Sequence, residues 1–372
     1  MQKVQSVIGL GFGDEGKGIT TDYLCSKADN PLVIRFSGGQ QAGHTVYLND
    51  KKHVFSNFGS GTLRGVPTYW SKYCSFDPEG ALNELKVLKE IGIEPILYID
   101  CKCPITTQFE KFFNQKNNFA HGTVGVGVGP TFKREEEFYS LLAEDIFFPE
   151  VVKIKLKLFY SYYNSTGSLE EYSNYFLNLL EQIKNSFIVT KNMNMNFIKY
   201  DLIAEGSQGL LLDQHHGFFP HVTRSNTGTK NLIEMGLEPE LFLVTRAYQT
   251  RHGNGPMSNI GLDLNLIKNK DETNVYNEYQ GEFKKTVLDL SLLQYATYKD
   301  EYIRDNILNA TLVITCIDQL NTRFPITLTL KNDIKYFDNK NAFVKFIKNQ
   351  LNVKEVYISE SHYADDIRKF EE

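Results

Sequence analysis

Gly9-Leu-Gly11-Phe-Gly13-Asp14-Glu15-Gly16-Lys17-Gly18 is the stretch of this 372-residue chain that decides its fold. An apolar run precedes it (Val7, Ile8, Leu10), and the residues after it, Ile19 to Cys25, suit a helix. The loop therefore lies at a strand-to-helix turn, where bare backbone N–H groups and the helix dipole favour phosphate. Three readings compete. Gly11 to Lys17 matches the start of a phosphate-loop pattern, but Gly18 stands where that pattern needs Ser or Thr for magnesium. Gly11-x-Gly13-x-x-Gly16 also matches a dinucleotide fingerprint, yet Leu32 to Ser37 offers no acidic residue for the ribose. In the third, Lys17 serves phosphate while Asp14, inside the loop, takes a metal or a proton. Five glycines around an Asp and a Lys make an ordinary turn a poor explanation.

Composition narrows the class. Hydrophobic residues form 41% of the chain, enough for a core. A net charge of −5 gives no broad cationic field, which argues against nucleic acid as a partner. No run of eighteen apolar residues occurs and the N-terminus reads as a strand, so neither a membrane span nor a signal peptide is expected. The five cysteines (25, 74, 101, 103 and 316) lack zinc spacing and are expected as reduced thiols in a cytoplasm.

Short apolar runs predict strands at 4–9, 32–36, 95–99, 198–204, 240–246, 311–316, 325–330 and 355–359. Helical patterns lie at 79–91, 136–160, 169–188, 229–236, 287–298 and 341–350. In the clearest, Ser168 and Glu171 form a capping box ahead of a stripe from Leu169 to Phe187, which reads as core packing. The alternation predicts an α/β fold: a mostly parallel sheet, helices on both faces, and ligands at the carboxyl ends of the strands. Residues 1–372 read as one large domain, and 105–195 as a helical insertion in it.

Two further constellations carry chemistry. Strand 32–36 runs into Ser37-Gly38-Gly39-Gln40-Gln41-Ala42-Gly43-His44-Thr45, where an imidazole could act as an acid beside an oxyanion. The glycine-rich runs His121 to Pro130 and Glu205-Gly-Ser-Gln208-Gly209, with Pro220 to Gly228, supply mobile backbone and polar groups. Gln208, as both donor and acceptor, suits a purine edge.

In order and spacing, Gly13 to Gly18, Ala42 to Thr45, Gly122 to Pro130, Glu205 to Gly209, Val222 to Asn226 and Thr250-Arg-His-Gly-Asn-Gly-Pro256 resemble the adenylosuccinate synthetase family. The resemblance implies a P-loop-like ligase fold and a reaction joining L-aspartate to C6 of IMP, with GTP and Mg²⁺. It implies Asp14 as the base for the purine N1 proton and as a metal ligand with the Gly43 carbonyl. It implies His44 as donor to the transferring phosphoryl group, and Lys17 with Gly13, Glu15, Gly16, Gly18, Gly43 and Thr45 as the phosphate site. Gln41, Thr123, Gln208 and Thr223 would hold the purine monophosphate, Gly281, Lys284 and Lys285 the aspartate, and Asp318 the base of the nucleoside triphosphate. Family members are homodimers in which a neighbour's arginine enters the site. Here Val126 replaces one family arginine, and Phe138 and Tyr139 replace a pair. The aspartate loop is shortened to Tyr279 to Thr286, Ser56 replaces a histidine, and the guanine-reading Lys-x-Asp is Cys316-Ile-Asp318. These departures leave GTP and ATP open as donors. They also keep alive a phage-type ligase acting on dGMP, and a silent nucleotide-binding homologue.

Overall fold

The computed structural model describes residues 2–117, 124–191, 197–267 and 281–371. The central strand, β1 (Gln2–Gly9), lies between Asp201–Gly209 and Leu237–Arg246 in a ten-stranded sheet. On the first side follow Pro31–Arg35, Thr68–Trp70, Leu97–Asp100 and Ile188–Thr190. On the other follow Thr311–Thr315, Glu355–Ile358 and the edge strand Arg368–Lys369. Every neighbouring pair is parallel except that last one. The predicted mostly parallel α/β sheet is what is found.

Alternation along β1 explains why it is apolar on both faces. Val4 and Ile8 join one core with Leu32, Ile34, Leu243 and Leu312. Val7 points the other way, against Val33, Val244, Val313 and Leu24 of helix α1 (Lys17–Lys27). Each such side chain contributes about 1.5–3 kcal/mol on burial. The chain leaves β1 for Pro31–Arg35 on one side and later crosses to Leu237–Arg246 on the other, so the carboxyl end of β1 is a switch point where a crevice opens.

Several expectations are corrected by packing. The helix predicted at 136–160 is two, Val128–Glu136 and Pro149–Tyr162. Phe138 sits at a left-handed φ of 65° after the first, and Pro149 opens the second, where its missing N–H does no harm. The helix at 169–188 is Leu169–Ser186, with the Ser168 hydroxyl accepting from Glu171 N at 3.2 Å. The 105–195 segment is largely helical but ends in the sheet's edge strand Ile188–Thr190. The strand predicted at 325–330, Ile326–Leu330, pairs with Leu288–Asp289 and Asp333–Phe337 in a separate small sheet. A hairpin of His44–Leu48 and Lys51–Phe55, turned at left-handed Asn49, was not anticipated.

The strand expected at 198–204 runs from Asp201 to Gly209, so Glu205-Gly-Ser-Gln-Gly209 is buried strand end and not loop. Gly209 pairs with Gly9 and sits so close that a Cβ there would run into the Gly11 carbonyl. Gly209→Ala should therefore lower stability by about 1–3 kcal/mol and weaken nucleotide binding. Urea denaturation with triphosphate titration measures both, and a neutral variant would show that the loop can yield.

Candidate active site

The loop after β1 is braced from beneath. The Gly13 carbonyl accepts from Thr250 Oγ1 at 3.1 Å, the Asp14 carbonyl from Arg246 Nε, and the Glu15 carbonyl from Thr315 Oγ1 at 2.7 Å. Arg246 and Thr315 end strands of the central sheet and Thr250 lies in the short strand Gln249–Arg251, so three carbonyls are turned into the protein. Glu15 is buried, and its Oε1 accepts from Gly11 N and Gly13 N at 3.0 and 2.9 Å. Its Oε2 lies 2.5 Å from Lys17 Nζ. Helix α1 starts at Gly16 with no side-chain cap and no acid in its first turn, so its leading N–H groups remain available to an anion.

Gly18, the misfit to the phosphate-loop pattern, has a steric reason. A Cβ there would come 2.9 Å from His44 Cβ and 3.1 Å from Ser60 Oγ. The first turn of α1 backs directly onto His44, which opens the hairpin strand.

His44 and Glu205 form a buried pair, Nδ1 to Oε1 at 2.7 Å. Glu205 also accepts from Ser60 Oγ and, at 3.1 Å, from Ser60 N, with Arg35 Nη1 at 3.9 Å. Burial opposes ionisation of Glu205, but His44, Arg35 and Ser60 outweigh it and hold the carboxyl below its ordinary range. Burial lowers the His44 pKa, against the pull of Glu205. Its Nε2 is buried and has no hydrogen-bond partner among the described residues. With Nδ1–H committed to the carboxylate, Nε2 is left for a ligand.

A cleft of about 1060 Å³ lies at this carboxyl edge. Gly13, Asp14, Glu15, Gly16, Lys17 and Gly18 line it, together with Gln41, Gly43, His44, Thr45, Gln208 and Thr223. Thr123 lies outside the described residues, as do His121, Gly122 and most of the shortened loop before Gly281. Gly281, Lys284, Lys285 and Asp318 are not on the cleft wall. Lys284 is nonetheless tied to it, donating to the Gly253 carbonyl at 3.0 Å. Lys285 lies 5.2 Å from the Phe283 ring centre. Asp318 follows strand Thr311–Thr315, and burial raises its carboxyl.

The structure adds groups that the sequence did not single out. Glu205 stood in a quoted motif, but nothing in the motif said that it faces a histidine 161 positions away. His252 Nε2 is 3.5 Å from Asp14 Oδ2, and its ring packs on Phe283 with centres 4.7 Å apart. Arg251 is buried over the Phe12 ring at 4.2 Å, and its pKa is lowered to about 10 by burial. Arg246 and Arg251 both reach the cleft.

The donor set fits magnesium. The Asp14 carboxylate and Gly43 carbonyl are hard oxygens on the cleft wall, and Mg²⁺ prefers few protein ligands with phosphate oxygens and water completing the shell. Among the described residues no group of three His, Cys, Asp or Glu side chains could enclose a metal.

Comparison with known proteins agrees with this arrangement. The family model for adenylosuccinate synthetase matches residues 6–372. Adenylosuccinate synthetase of Borrelia recurrentis is 32% identical over 274 residues, covering 68% of this chain and 64% of the relative. That of Thermoplasma volcanium is 27% identical over 317 residues, covering 79% of this chain and 72% of the relative. The chain thus spans somewhat under two thirds of the length of the Borrelia relative. The fully ligated Plasmodium falciparum adenylosuccinate synthetase superposes with a TM-score of 0.81 at 19% identity, over 99% of this chain and 100% of that one. Cyanophage S-2L succinoaminodeoxyadenylate synthetase, bound to dGMP and dATP, gives 0.67 at 16% identity, over 99% and 95%. A phosphate loop carrying its own aspartate, a histidine backed by a buried glutamate, and a family match along almost the whole chain lead to one conclusion: the chain belongs to the adenylosuccinate synthetase family.

Proposed function

We propose that this protein is a purine nucleotide ligase that joins L-aspartate to C6 of IMP, with GTP or ATP as phosphoryl donor. The observation that carries this is the unpartnered Nε2 of His44, held by Glu205 on the same cleft wall as Asp14 and Lys17. An NTPase needs no second proton-transfer group across from its phosphate loop. A 6-oxopurine ligase needs one base for the N1 proton and one donor at the phosphoryl oxygen.

Asp14 removes the N1 proton as O6 attacks the γ-phosphoryl group, and His44 Nε2 donates to that group as charge develops. Incoming phosphate favours the protonated imidazole, with Glu205 compensating its charge. Lys17 and the N–H groups at the start of α1 hold the phosphates in line. Bound Mg²⁺, held by Asp14 and the Gly43 carbonyl, would neutralise phosphate charge. The amine of aspartate then displaces the 6-phosphoryl group. Lys284, tied to the cleft wall through the Gly253 carbonyl, and Lys285 would attract the aspartate carboxylates as point charges. The same reading makes the protein one large domain and a homodimer working in a cytoplasm. No helix among the described residues is long and apolar enough to cross a membrane.

A phage-type dGMP–aspartate ligase is the second reading. It is motivated by Phe138 and Tyr139, which stand where family members carry an arginine pair; Phe138 is 93% exposed and off the cleft. Crossing IMP, GMP and dGMP with GTP, ATP and dATP, in the presence of aspartate and Mg²⁺, separates the readings by product mass. An aspartyl adduct of IMP is expected. No adduct from any pair would make the chain a silent homologue. Asp14→Asn should abolish product while triphosphate binding persists, and retained turnover would remove Asp14 from its role.

A further inference from the structure

The rim of the cleft carries charge that the mechanism above does not use. Arg224, next to Thr223, reaches across to Glu136 at the end of helix Val128–Glu136. Its Nε lies 3.0 Å from Oε1 and its Nη2 2.5 Å from Oε2, a bidentate fork between segments 88 residues apart. Lys133, one turn back on that helix, lines the same cleft and lies 3.8 Å from Glu137. Arg224 and Glu136 are 43% and 56% exposed, and pairs this open contribute little to stability. The fork is therefore easily exchanged. Guanidinium forks bind phosphate oxygens in the same two-point geometry, and a phosphate dianion carries more charge than a carboxylate.

Depth in the cleft orders the acceptor. Gln41 presents an amide whose nitrogen and oxygen are both buried without a partner among the described residues, and it shares the cleft wall with Gln208. Those groups suit a purine edge, and Arg224, beside Thr223 on the same cleft, holds its guanidinium on a half-exposed fork with Glu136. A purine seated inward turns its ribose phosphate outward, to that fork. Resting on the ligase reading, we infer that Arg224, supported by Lys133, binds the 5′-phosphate of the acceptor nucleotide and exchanges Glu136 for it on binding. The cationic grip then comes from within this chain, at residues other than Phe138 and Tyr139.

Calorimetric titration of the full chain with IMP and dGMP, and with inosine and deoxyguanosine lacking the phosphate, tests this. Arg224→Ala should weaken both monophosphates about 10-fold or more and leave both nucleosides unchanged. Glu136→Gln, which removes the competing carboxylate, should tighten the monophosphates. Equal loss for nucleoside and monophosphate, no loss in Arg224→Ala, or unchanged or weaker binding in Glu136→Gln would each overturn the inference. A wild-type protein that binds neither monophosphate would instead overturn the ligase reading beneath it, and that outcome shows before any variant is made.

Discussion

His44→Asn lowers kcat for adduct formation by about 10²- to 10⁴-fold, the range expected for a lost proton-transfer group, with little change in KM for the triphosphate. Asn keeps a polar group near Glu205 but cannot carry a proton to the phosphoryl oxygen. Glu205→Gln has a related effect through the imidazole that Glu205 orients: a smaller fall in kcat, together with lower stability. The instability arises because Arg35, fully buried beside Glu205, loses its carboxylate. Steady-state kinetics on both variants, with thermal melts, separate the effects. A kcat close to wild type in His44→Asn would end its assignment as donor, and an intact kcat in Glu205→Gln would show that the imidazole needs no buried anion.

The largest stability change is expected on the buried face of helix Val128–Glu136. Arg134 is fully buried on helix Val128–Glu136, with Nε 2.8 Å from Glu110 Oε1 and Nη1 2.8 Å from Glu135 Oε1. Its Nη2 donates to the Ile105 carbonyl at 2.8 Å, and its guanidinium covers the Phe159 ring at 4.2 Å. Glu110 in turn caps its own helix, accepting from Thr107 N at 2.6 Å and Thr107 Oγ1 at 2.5 Å. Arg134→Met leaves Glu110 buried without a counter-charge, which should cost about 3–5 kcal/mol. The double variant Arg134→Met with Glu110→Leu removes both charges and should recover much of that loss. Urea denaturation of the single and double variants checks it. A single variant within 1 kcal/mol of wild type, on the order of a solvent-exposed pair, would mean that water reaches Glu110.

Much of the site was legible because its signals are local. A glycine loop with an Asp and a Lys inside it, placed between an apolar run and a helix, specifies a strand–turn–helix phosphate site from neighbours alone. Gly43 and His44 were readable from a glycine-rich turn after a predicted strand, Gln41 and Thr45 only through the family resemblance, and the cleft lining includes all four. The break in helix 136–160 was also written locally, in Pro149, but an unbroken apolar pattern hid it. The hairpin beginning at His44 was missed because its strands are short and half exposed, which blurs the period-two signal.

By itself, then, the sequence determined the α/β class and the glycine loop, since strand periodicity and turn chemistry act over a few residues, and its motifs, in order and spacing, carried the resemblance to the family. Only the tertiary structure decided what those residues face. It set Glu205 behind His44, His252 beside Asp14, Arg224 opposite Glu136, and α1 so near His44 that position 18 must be glycine. Each of these is a pairing between segments brought together by parallel strands, whose crossovers separate partners by tens to hundreds of residues. No local pattern encodes which strand lies next to which, and that order alone sets His44, backed by Glu205, in one cleft with the glycine loop.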